Sequence, residues 1–198
     1  MKAENCAVII LAAGASTRLG RPKQLLAFQS QSLIKHIVSE AKNSVETVLV
    51  VTGSGHDAIA AELKDEPVVL VENKQWEQGM GTSISKGIAV LKSLKPAIKA
   101  AVLAVCDQPF VSAALFAQMQ ALQNRSGKKI VACSYAETVG TPVLFEHTYF
   151  DALQQLSGQE GAKKLVQQFI ADVTLLPFPQ GAVDIDTQND YAALLQQK

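Results

Sequence analysis

The sequence lacks the excess of basic residues typical of nucleic-acid-binding proteins and the long apolar runs typical of membrane proteins. Its 198 residues include three cysteines and one tryptophan, and 18 basic side chains are balanced by 18 acidic ones. A formal charge of zero removes any whole-molecule argument for binding nucleic acid or a membrane surface. No apolar run reaches the roughly eighteen residues that a membrane-spanning helix needs. We therefore expect a protein that binds neither nucleic acid nor membrane.

The cysteines are few and far apart, at Cys6, Cys106 and Cys133. An odd, widely spaced set is typical neither of a disulfide framework nor of a zinc site, and it fits buried thiols in a reducing compartment. We therefore expect a cytoplasmic protein. The length and the 48% hydrophobic content suffice for one large core. They predict a single domain over residues 1–198.

Buried-strand patterns alternate with helical patterns through most of the chain. Branched apolar runs predict the strands, and residues spaced like one face of a helix follow most of them. The predicted strands are 6–11, 48–51, 68–71, 100–105, 130–133, 143–145 and 183–186. Alternation of this kind predicts an α/β fold in which helices cover both faces of a mostly parallel sheet.

A loop of small residues and fixed cations follows the first predicted strand. This N-terminal loop, residues 11–23, reads Leu-Ala-Ala-Gly-Ala-Ser-Thr-Arg-Leu-Gly-Arg-Pro-Lys. Because its first residues carry almost no side chain, an anion can approach and accept hydrogen bonds from backbone N–H groups. Arg18 and Lys23 add positive charge, so the loop predicts a polyphosphate site. It is not a Walker P-loop, because Gly14 to Gly20 is one residue too long and neither Ser nor Thr follows Lys23.

A second glycine motif supports an alternative from a different enzyme class. Gly53, Gly55 and Ala58 follow the second predicted strand, and Glu72 closes the third. This spacing satisfies the dinucleotide-binding pattern, so the alternative is an NAD-dependent oxidoreductase. Against it, the motif follows the second strand and leaves the N-terminal loop without a role.

A third stretch with glycines, at 73–83, precedes a predicted helix. We interpret Gly79 and Gly81 as allowing the backbone to pass close to a flat ligand. The hydroxyl of Ser83 lies in the same stretch. Trp76 is either a packing residue or a platform on which a ligand stacks, and both interpretations stay open.

Aspartates follow or occupy two of the predicted strands. Asp107 follows the strand 100–105, which places its carboxylate where open α/β sheets bind ligands. Asp184 and Asp186 alternate with Ile185, so we expect the isoleucine to point inward and Asp184 to face solvent. The three histidines form no constellation. We expect His36 on a helix surface and assign chemistry to none of them.

Five motifs, in this order and spacing, resemble those of the MobA-like nucleotidyltransferase family. They are the N-terminal loop, Asn-x-x-Trp-x-x-Gly-Met-x-x-Ser at 73–83, Asp-Gln-Pro at 107–109, Gly-x-Pro-Val at 140–143 and Asp-Ile-Asp-Thr at 184–187. The chain looks most like the molybdenum cofactor cytidylyltransferase branch, because Ala13 stands where the guanylyltransferase branch tends to carry glycine. The resemblance implies a three-layer, Rossmann-like fold of the nucleotide-diphospho-sugar transferase type.

The resemblance also implies an activity and a set of site residues. The expected reaction transfers CMP from CTP to the phosphate of molybdopterin, with Mg²⁺ as cofactor, in a nucleotide-binding half (1–110) and an acceptor-binding half (111–198). The expected nucleotide-binding residues are Leu11, Ala12, Ala13, Gly14, Ser16, Arg18, Lys23, Gly79, Met80, Ser83 and Asp107. Asp107 and Asp186 are expected to hold the metal. Arg18, Lys23 and Asp107 are expected to be catalytic.

Departures from the family pattern keep other interpretations open. Thr141 stands where the family commonly has His, and Lys163 stands where it has Arg. Because both lie in the expected acceptor half, another phosphorylated acceptor remains an alternative, as does GTP in place of CTP. A further alternative is a non-catalytic, nucleotide-binding partner of a molybdoenzyme.

Overall fold

The computed structural model describes residues 2–196. The strands are β1 (Ala3–Ala12), β2 (Ala27–Phe28), β3 (Gln31–Ser32), β4 (Val45–Thr52), β5 (Val69–Glu72), β6 (Ala100–Val105), β7 (Ile130–Tyr135), β8 (Thr138–Glu146) and β9 (Val173–Pro177). The α-helices are α1 (Leu33–Ser44), α2 (His56–Glu62), α3 (Met80–Leu94), α4 (Ala113–Ser126), α5 (Phe150–Gln154), α6 (Ala162–Gln168) and α7 (Gln188–Gln196). None of these helices is both long enough and apolar enough to cross a membrane.

Seven of the strands form one sheet in the order β5-β4-β1-β6-β8-β7-β9. The first four strands of that order pair in parallel, as does β9 with β7, whereas β8 is antiparallel to both of its neighbours. The mostly parallel sheet confirms the prediction. β8 reverses direction because Ala136 and Glu137, both at positive φ, join it to β7 in a two-residue hairpin turn.

Helices cover both faces of the sheet and confirm the three-layer arrangement. On one face, Val8 and Ile10 of β1 pack in a cluster with residues of α1 and α4. On the other face, Ile9 of β1 packs in a cluster with residues of α3, α5 and α6. Because both faces of β1 are buried from Cys6 onward, residues 6–12 form a continuous apolar run instead of an alternating pattern.

Local capping follows the sequence closely. Ser32 and Ser112 each accept a hydrogen bond from the backbone N–H three residues later, at the starts of α1 and α4. At the start of α7, the Asp190 carboxylate accepts from the Thr187 N–H at 2.7 Å, and the Thr187 hydroxyl accepts from the Asp190 N–H at 3.2 Å. These reciprocal bonds form a capping box.

Two local predictions are wrong. Residues 183–186 are not a strand, although Ile185 is buried, and the Ile185 N–H donates to the carbonyl of Asp107 at 3.0 Å. Instead, the sheet is completed by β9, whose residues are half-buried or exposed, end in a proline and lack a strong strand pattern. His36 is buried, not on a surface, because Phe28 packs edge-on against its ring and its Nε2 lies 3.0 Å from the carbonyl of Pro109.

The cysteines are buried and free, as predicted. Burial raises the pKa of Cys6, Cys106 and Cys133 to about 12. Each thiol therefore remains protonated at neutral pH and acts as a small apolar side chain.

Candidate active site

A cleft of about 550 Å³, the first cleft, opens at the carboxyl ends of β1 and β6. Open α/β sheets bind their ligands at this edge. The predicted nucleotide-binding residues that line it are Leu11, Ala12, Ala13, Gly14, Arg18, Lys23, Gly79, Met80, Ser83 and Asp107. Ser16 does not line the cleft. Its hydroxyl instead accepts the Lys23 N–H at 3.1 Å and closes the N-terminal loop on itself.

Three successive carbonyl groups of the N-terminal loop accept hydrogen bonds from other parts of the protein. The Ser54 N–H donates to the carbonyl of Ala13 at 3.1 Å, and the carbonyls on either side of it accept from a buried side chain, that of Gln24. By contrast, the N–H groups of Gly14, Ala15 and Thr17 find no acceptor within residues 2–196. These free donors are what an anion site made of backbone requires.

Gly14 lines the first cleft with open space beside it. A Cβ added to Gly14 would meet no protein atom within 4 Å. Packing within the protein therefore does not require a glycine at this position. The space is available to a ligand that approaches the main chain.

Lys23 joins the two aspartates that the sequence places far apart. Its Nζ lies 2.5 Å from Oδ2 of Asp107 and 2.9 Å from Oδ1 of Asp186. Arg18 Nη2 lies 2.5 Å from the other oxygen of Asp186. The Lys23 side chain is 14% exposed, against 69% for Arg18. The site is therefore a partly buried cluster of two cations and two carboxylates.

The cluster fixes the charge of its members. Burial works against the charged form of Lys23, but the charge of Asp107 and hydrogen bonds to both aspartates outweigh it and raise the pKa of the ammonium. The hydrogen bond from Lys23, together with the charges of Lys23 and Arg18, holds the pKa of Asp186 below its usual range. Lys23 is therefore protonated and Asp186 ionised at neutral pH.

The pKa of Asp184, next to this cluster, is shifted in the direction opposite to that of Asp186. Burial and the like charges of Asp107 and Asp186 raise its pKa. A raised pKa means that ionisation of Asp184 destabilises the folded protein. This destabilisation is present only above the ordinary pKa of an unfolded aspartate, about 3.9.

Asp184→Asn is therefore expected to raise the melting temperature at pH 7 by about 1–2 °C, an amount kept small by solvent screening. The gain should vanish at pH 3, where the wild-type side chain is protonated in both the folded and the unfolded state. Thermal melting at the two pH values checks this. A lower melting temperature at pH 7, or an equal gain at pH 3, contradicts it.

A second cleft of about 340 Å³ adjoins the first and shares Met80, Val105 and Asp107 with it. The second cleft is also lined by Gln108 and Asp184. The buried Gln108 amide organises its wall, donating to the carbonyl of Gly181 at 2.9 Å and accepting from the hydroxyl of Thr141 at 3.1 Å. Two connected clefts that meet at one carboxylate suit a reaction between two substrates.

Gly79 and Gly81 are required for a reason other than the predicted one, which is the close approach of a flat ligand to the backbone. A Cβ on Gly79 would lie 2.2 Å from the carbonyl oxygen of Gly158, and one on Gly81 would lie 2.6 Å from that of Ser157. The missing side chains therefore make room for the segment 157–159, which carries Gln159 into the first cleft. No local pattern announced this contact between residues about eighty positions apart in sequence.

The Gly53 motif packs beneath the N-terminal loop. A Cβ on Gly53 would lie 2.5 Å from Cβ of Trp76 and 2.9 Å from the carbonyl oxygen of Ala13. In a dinucleotide site the first glycine makes the tight turn and the second lets the backbone approach the pyrophosphate. Here Trp76 fills the space beside Gly53 while also lining the first cleft, whereas the space beside Gly55 is open. The packing at Gly53 therefore serves the wall of the first cleft.

Comparisons with known proteins agree with this geometry. A family model described as the MobA-like NTP transferase domain matches residues 8–173. The chain is 27% identical to nicotine blue oxidoreductase of Paenarthrobacter nicotinovorans, over 94% of this chain and 95% of that protein. It is 28% identical to the purine catabolism protein PucB of Bacillus subtilis, over 92% of each. Over 54% of this chain and 51% of the relative, it is 29% identical to a probable molybdenum cofactor guanylyltransferase of Bacillus mycoides.

Among solved structures, the fold is similar to that of Rv0371c from Mycobacterium tuberculosis. The TM-score is 0.83 and the identity 28%, covering 99% of this chain and 100% of that one. A second crystal structure of Rv0371c, a complex with manganese, gives a TM-score of 0.77 at 28% identity, covering 98% of this chain and 100% of that one. A protein of this fold and of detectable sequence similarity thus binds a divalent metal.

Proposed function

The chain belongs to the MobA-like NTP transferase family and is a nucleotidyltransferase, and we propose that it transfers CMP from CTP to the phosphate of molybdopterin. The observation that carries the proposal is the convergence of Asp107, Asp186 and Lys23 where the two clefts meet. CTP is preferred on the evidence of Ala13, and a molybdoenzyme is the proposed recipient of the product. The buried free thiols support the cytoplasm as the location.

The proposed nucleotide site is the first cleft. The free N–H groups of the N-terminal loop and the exposed guanidinium of Arg18 suit the β and γ phosphates. Lys23 is proposed to contact the α phosphate, and Gly79, Met80 and Ser83 to line the base and ribose. The acceptor is proposed to occupy the second cleft, so that residues 1–110 supply most of the nucleotide site and 111–198 most of the acceptor site.

The residues present fit a divalent metal such as Mg²⁺. Oxygens of Asp107 and Asp186 both lie within 3 Å of one Lys23 nitrogen, so one cation can contact both carboxylates. No three His, Cys, Asp or Glu side chains converge within residues 2–196. This agrees with Mg²⁺, which one or two carboxylates usually hold together with substrate phosphates and water. When bound, the metal would neutralise negative charge on the triphosphate.

The proposed reaction needs positioning and positive charge more than acid or base catalysis. An oxygen of the acceptor phosphate forms a bond to the α phosphorus, and the bond from that phosphorus to the bridging oxygen breaks, which releases pyrophosphate. A phosphate nucleophile is already ionised at neutral pH, so no residue has to remove a proton. Protonated Lys23 would stabilise the charge that builds on the α phosphate.

The function is tested by incubating the protein with molybdopterin, Mg²⁺ and each nucleoside triphosphate in turn while pyrophosphate is measured. Release with CTP alone supports the proposal. Release with GTP alone supports the guanylyltransferase alternative, and release only with another phosphorylated acceptor reassigns the second cleft. Triphosphate binding without turnover supports a non-catalytic partner.

An oxidoreductase is the second candidate, because one relative matched over nearly its full length carries that name. A nicotinamide dinucleotide bound at Gly53 and Gly55 would leave the N-terminal loop, which lines the first cleft with Arg18 and Lys23, without a role. Titration with NADH separates the two functions. Binding of NADH together with failure to bind any triphosphate would overturn nucleotidyl transfer.

Gly14→Ala is expected to lower the affinity for the triphosphate at least about tenfold and to leave the melting temperature unchanged. The added methyl group would meet no protein atom but would stand where the phosphates are proposed to approach the backbone. Calorimetric titration with CTP, beside a thermal melt, measures both quantities.

Gly53→Ala is the comparison for stability, and a lower melting temperature is expected from it. Its methyl group would collide with Trp76, so the free energy of unfolding should fall by about 1–3 kcal/mol. Unchanged CTP affinity in Gly14→Ala would remove the proposed role of the N-terminal loop.

A further inference from the structure

Gln24 is a buried polar side chain whose function the proposed reaction leaves open. It is 1% exposed, directly follows Lys23, and reaches the wall of the first cleft. Its Nε2 donates to the carbonyl of Ala12 and to the carbonyl of Gly14, each at 3.0 Å. Because carbonyl groups only accept, the orientation of the amide is fixed, with its nitrogen toward the N-terminal loop.

Within residues 2–196, the other end of the same amide has no partner, because Gln24 Oε1 is buried and makes no hydrogen bond. An unpaired buried acceptor is unfavourable, and native proteins contain few of them. A methionine would fill a similar volume without this unpaired atom, but it would also remove the donor to the carbonyls of Ala12 and Gly14. The reason for a glutamine at this position therefore lies in the two bonds that Nε2 makes.

Nε2 determines which groups of the N-terminal loop remain available. Nε2 donates to the carbonyls of residues 12 and 14, and the Ser54 N–H donates to the carbonyl of Ala13. All three successive carbonyls therefore accept hydrogen bonds from the protein. The carbonyl oxygens, which would repel a phosphate, are thereby held in place. Among residues 2–196, the N–H groups of Gly14, Ala15 and Thr17 have no acceptor and can donate to a ligand.

We propose that Gln24 is the positioning residue of the triphosphate site, which holds the carbonyls of Ala12 and Gly14 so that the free N–H groups of the N-terminal loop bind the phosphates. The proposal rests on the proposed nucleotidyl transfer. Gln24 touches no reacting atom and acts through the backbone. Its loss therefore weakens binding of the triphosphate and leaves binding of the acceptor unchanged.

Gln24→Met and Gln24→Glu test this role. Methionine removes the donor, and glutamate keeps the shape but replaces the donor with an acceptor that faces two carbonyls. In both variants the KM for the triphosphate is expected to rise at least about tenfold, with kcat changed less than about threefold and the KM for the acceptor unchanged. A merely structural role would lower the amount of active protein, and thus the apparent kcat, at unchanged KM.

Two further measurements sharpen the result. The Gln24→Glu defect in triphosphate affinity, relative to wild type, should shrink as the pH falls, because a protonated carboxyl group regains one donor. Gln188→Met is the matched control, since its Nε2 donates to the carbonyl of Leu19 in the same loop, at 2.8 Å, away from Gly14. Its KM for the triphosphate should equal that of wild type.

Calorimetric titration of the wild type with CTP and then with GTP tests the role of Gln24 separately from the proposed nucleotidyl transfer. If the wild type binds neither, both nucleotidyl transfer and the role of Gln24 are overturned. If the wild type binds one of them and both Gln24 variants keep the wild-type KM, or lose only kcat, the role of Gln24 is overturned and nucleotidyl transfer stands.

Discussion

Asp107→Asn is expected to lower the rate of pyrophosphate release by about a thousandfold or more while the protein stays folded. Asp107 lines both clefts and is bonded to Lys23, so its carboxylate stands between the two proposed substrates. Asparagine keeps the shape but removes the charge that would hold a metal beside the phosphates. Steady-state kinetics measures the rate, and circular dichroism checks the fold.

Asp65→Asn is the control for this variant. Asp65 is exposed, follows α2 and makes no ion pair within the described residues. Its replacement removes the same charge from the protein at a distance from the site, so the rate should stay at the wild-type value. A rate near wild type in Asp107→Asn would remove the proposed metal role.

Lys23→Met is expected to have two effects of opposite sign. Turnover should fall by about a hundredfold or more, because the charge proposed to stabilise the α phosphate is lost. Affinity for Mn²⁺ in the absence of nucleotide should rise by about tenfold, because the ammonium that now contacts Asp107 and Asp186 no longer competes with the metal. Pyrophosphate release and calorimetric titration with Mn²⁺ measure the two effects.

Lys64→Met is the matched control. Lys64 is exposed and forms no ion pair in the part of the chain that the structure describes, so both quantities should stay at their wild-type values. Weaker Mn²⁺ binding in Lys23→Met would show that Lys23 supports the metal and does not take its place.

The sequence predicted those parts of the fold that depend on neighbouring residues. The apolar run of β1 follows from its burial on both faces, and the serine caps of α1 and α4 follow from hydrogen bonds that span three residues. The sequence does not predict β9, because a partly exposed edge strand that ends in proline lacks a strong local pattern. It does not predict the burial of His36, because residues distant in sequence bury this side chain.

The candidate site likewise has features that the sequence predicts and features that depend on tertiary packing. The N-terminal loop and Asp107 were recognisable because glycine, alanine and acidic residues at strand ends have local reasons to be there. The contact of Gln159 with the first cleft and the bonds from Gln24 to the backbone depend on tertiary packing, which leaves no periodic signal. Gly79 and Gly81 stand out in the sequence, but the atoms they make room for belong to the protein backbone.

The proposed function depends most on one arrangement, in which Asp107 and Asp186 together hold a metal beside a bound triphosphate. Electron paramagnetic resonance of Mn²⁺, titrated in the presence of a non-hydrolysable CTP analogue, tests it directly by counting bound metal. We expect one tightly bound Mn²⁺ per chain in the wild type and loss of that ion in the Asp107→Asn, Asp186→Asn double variant. Undiminished, equally tight Mn²⁺ binding in the double variant would contradict the account.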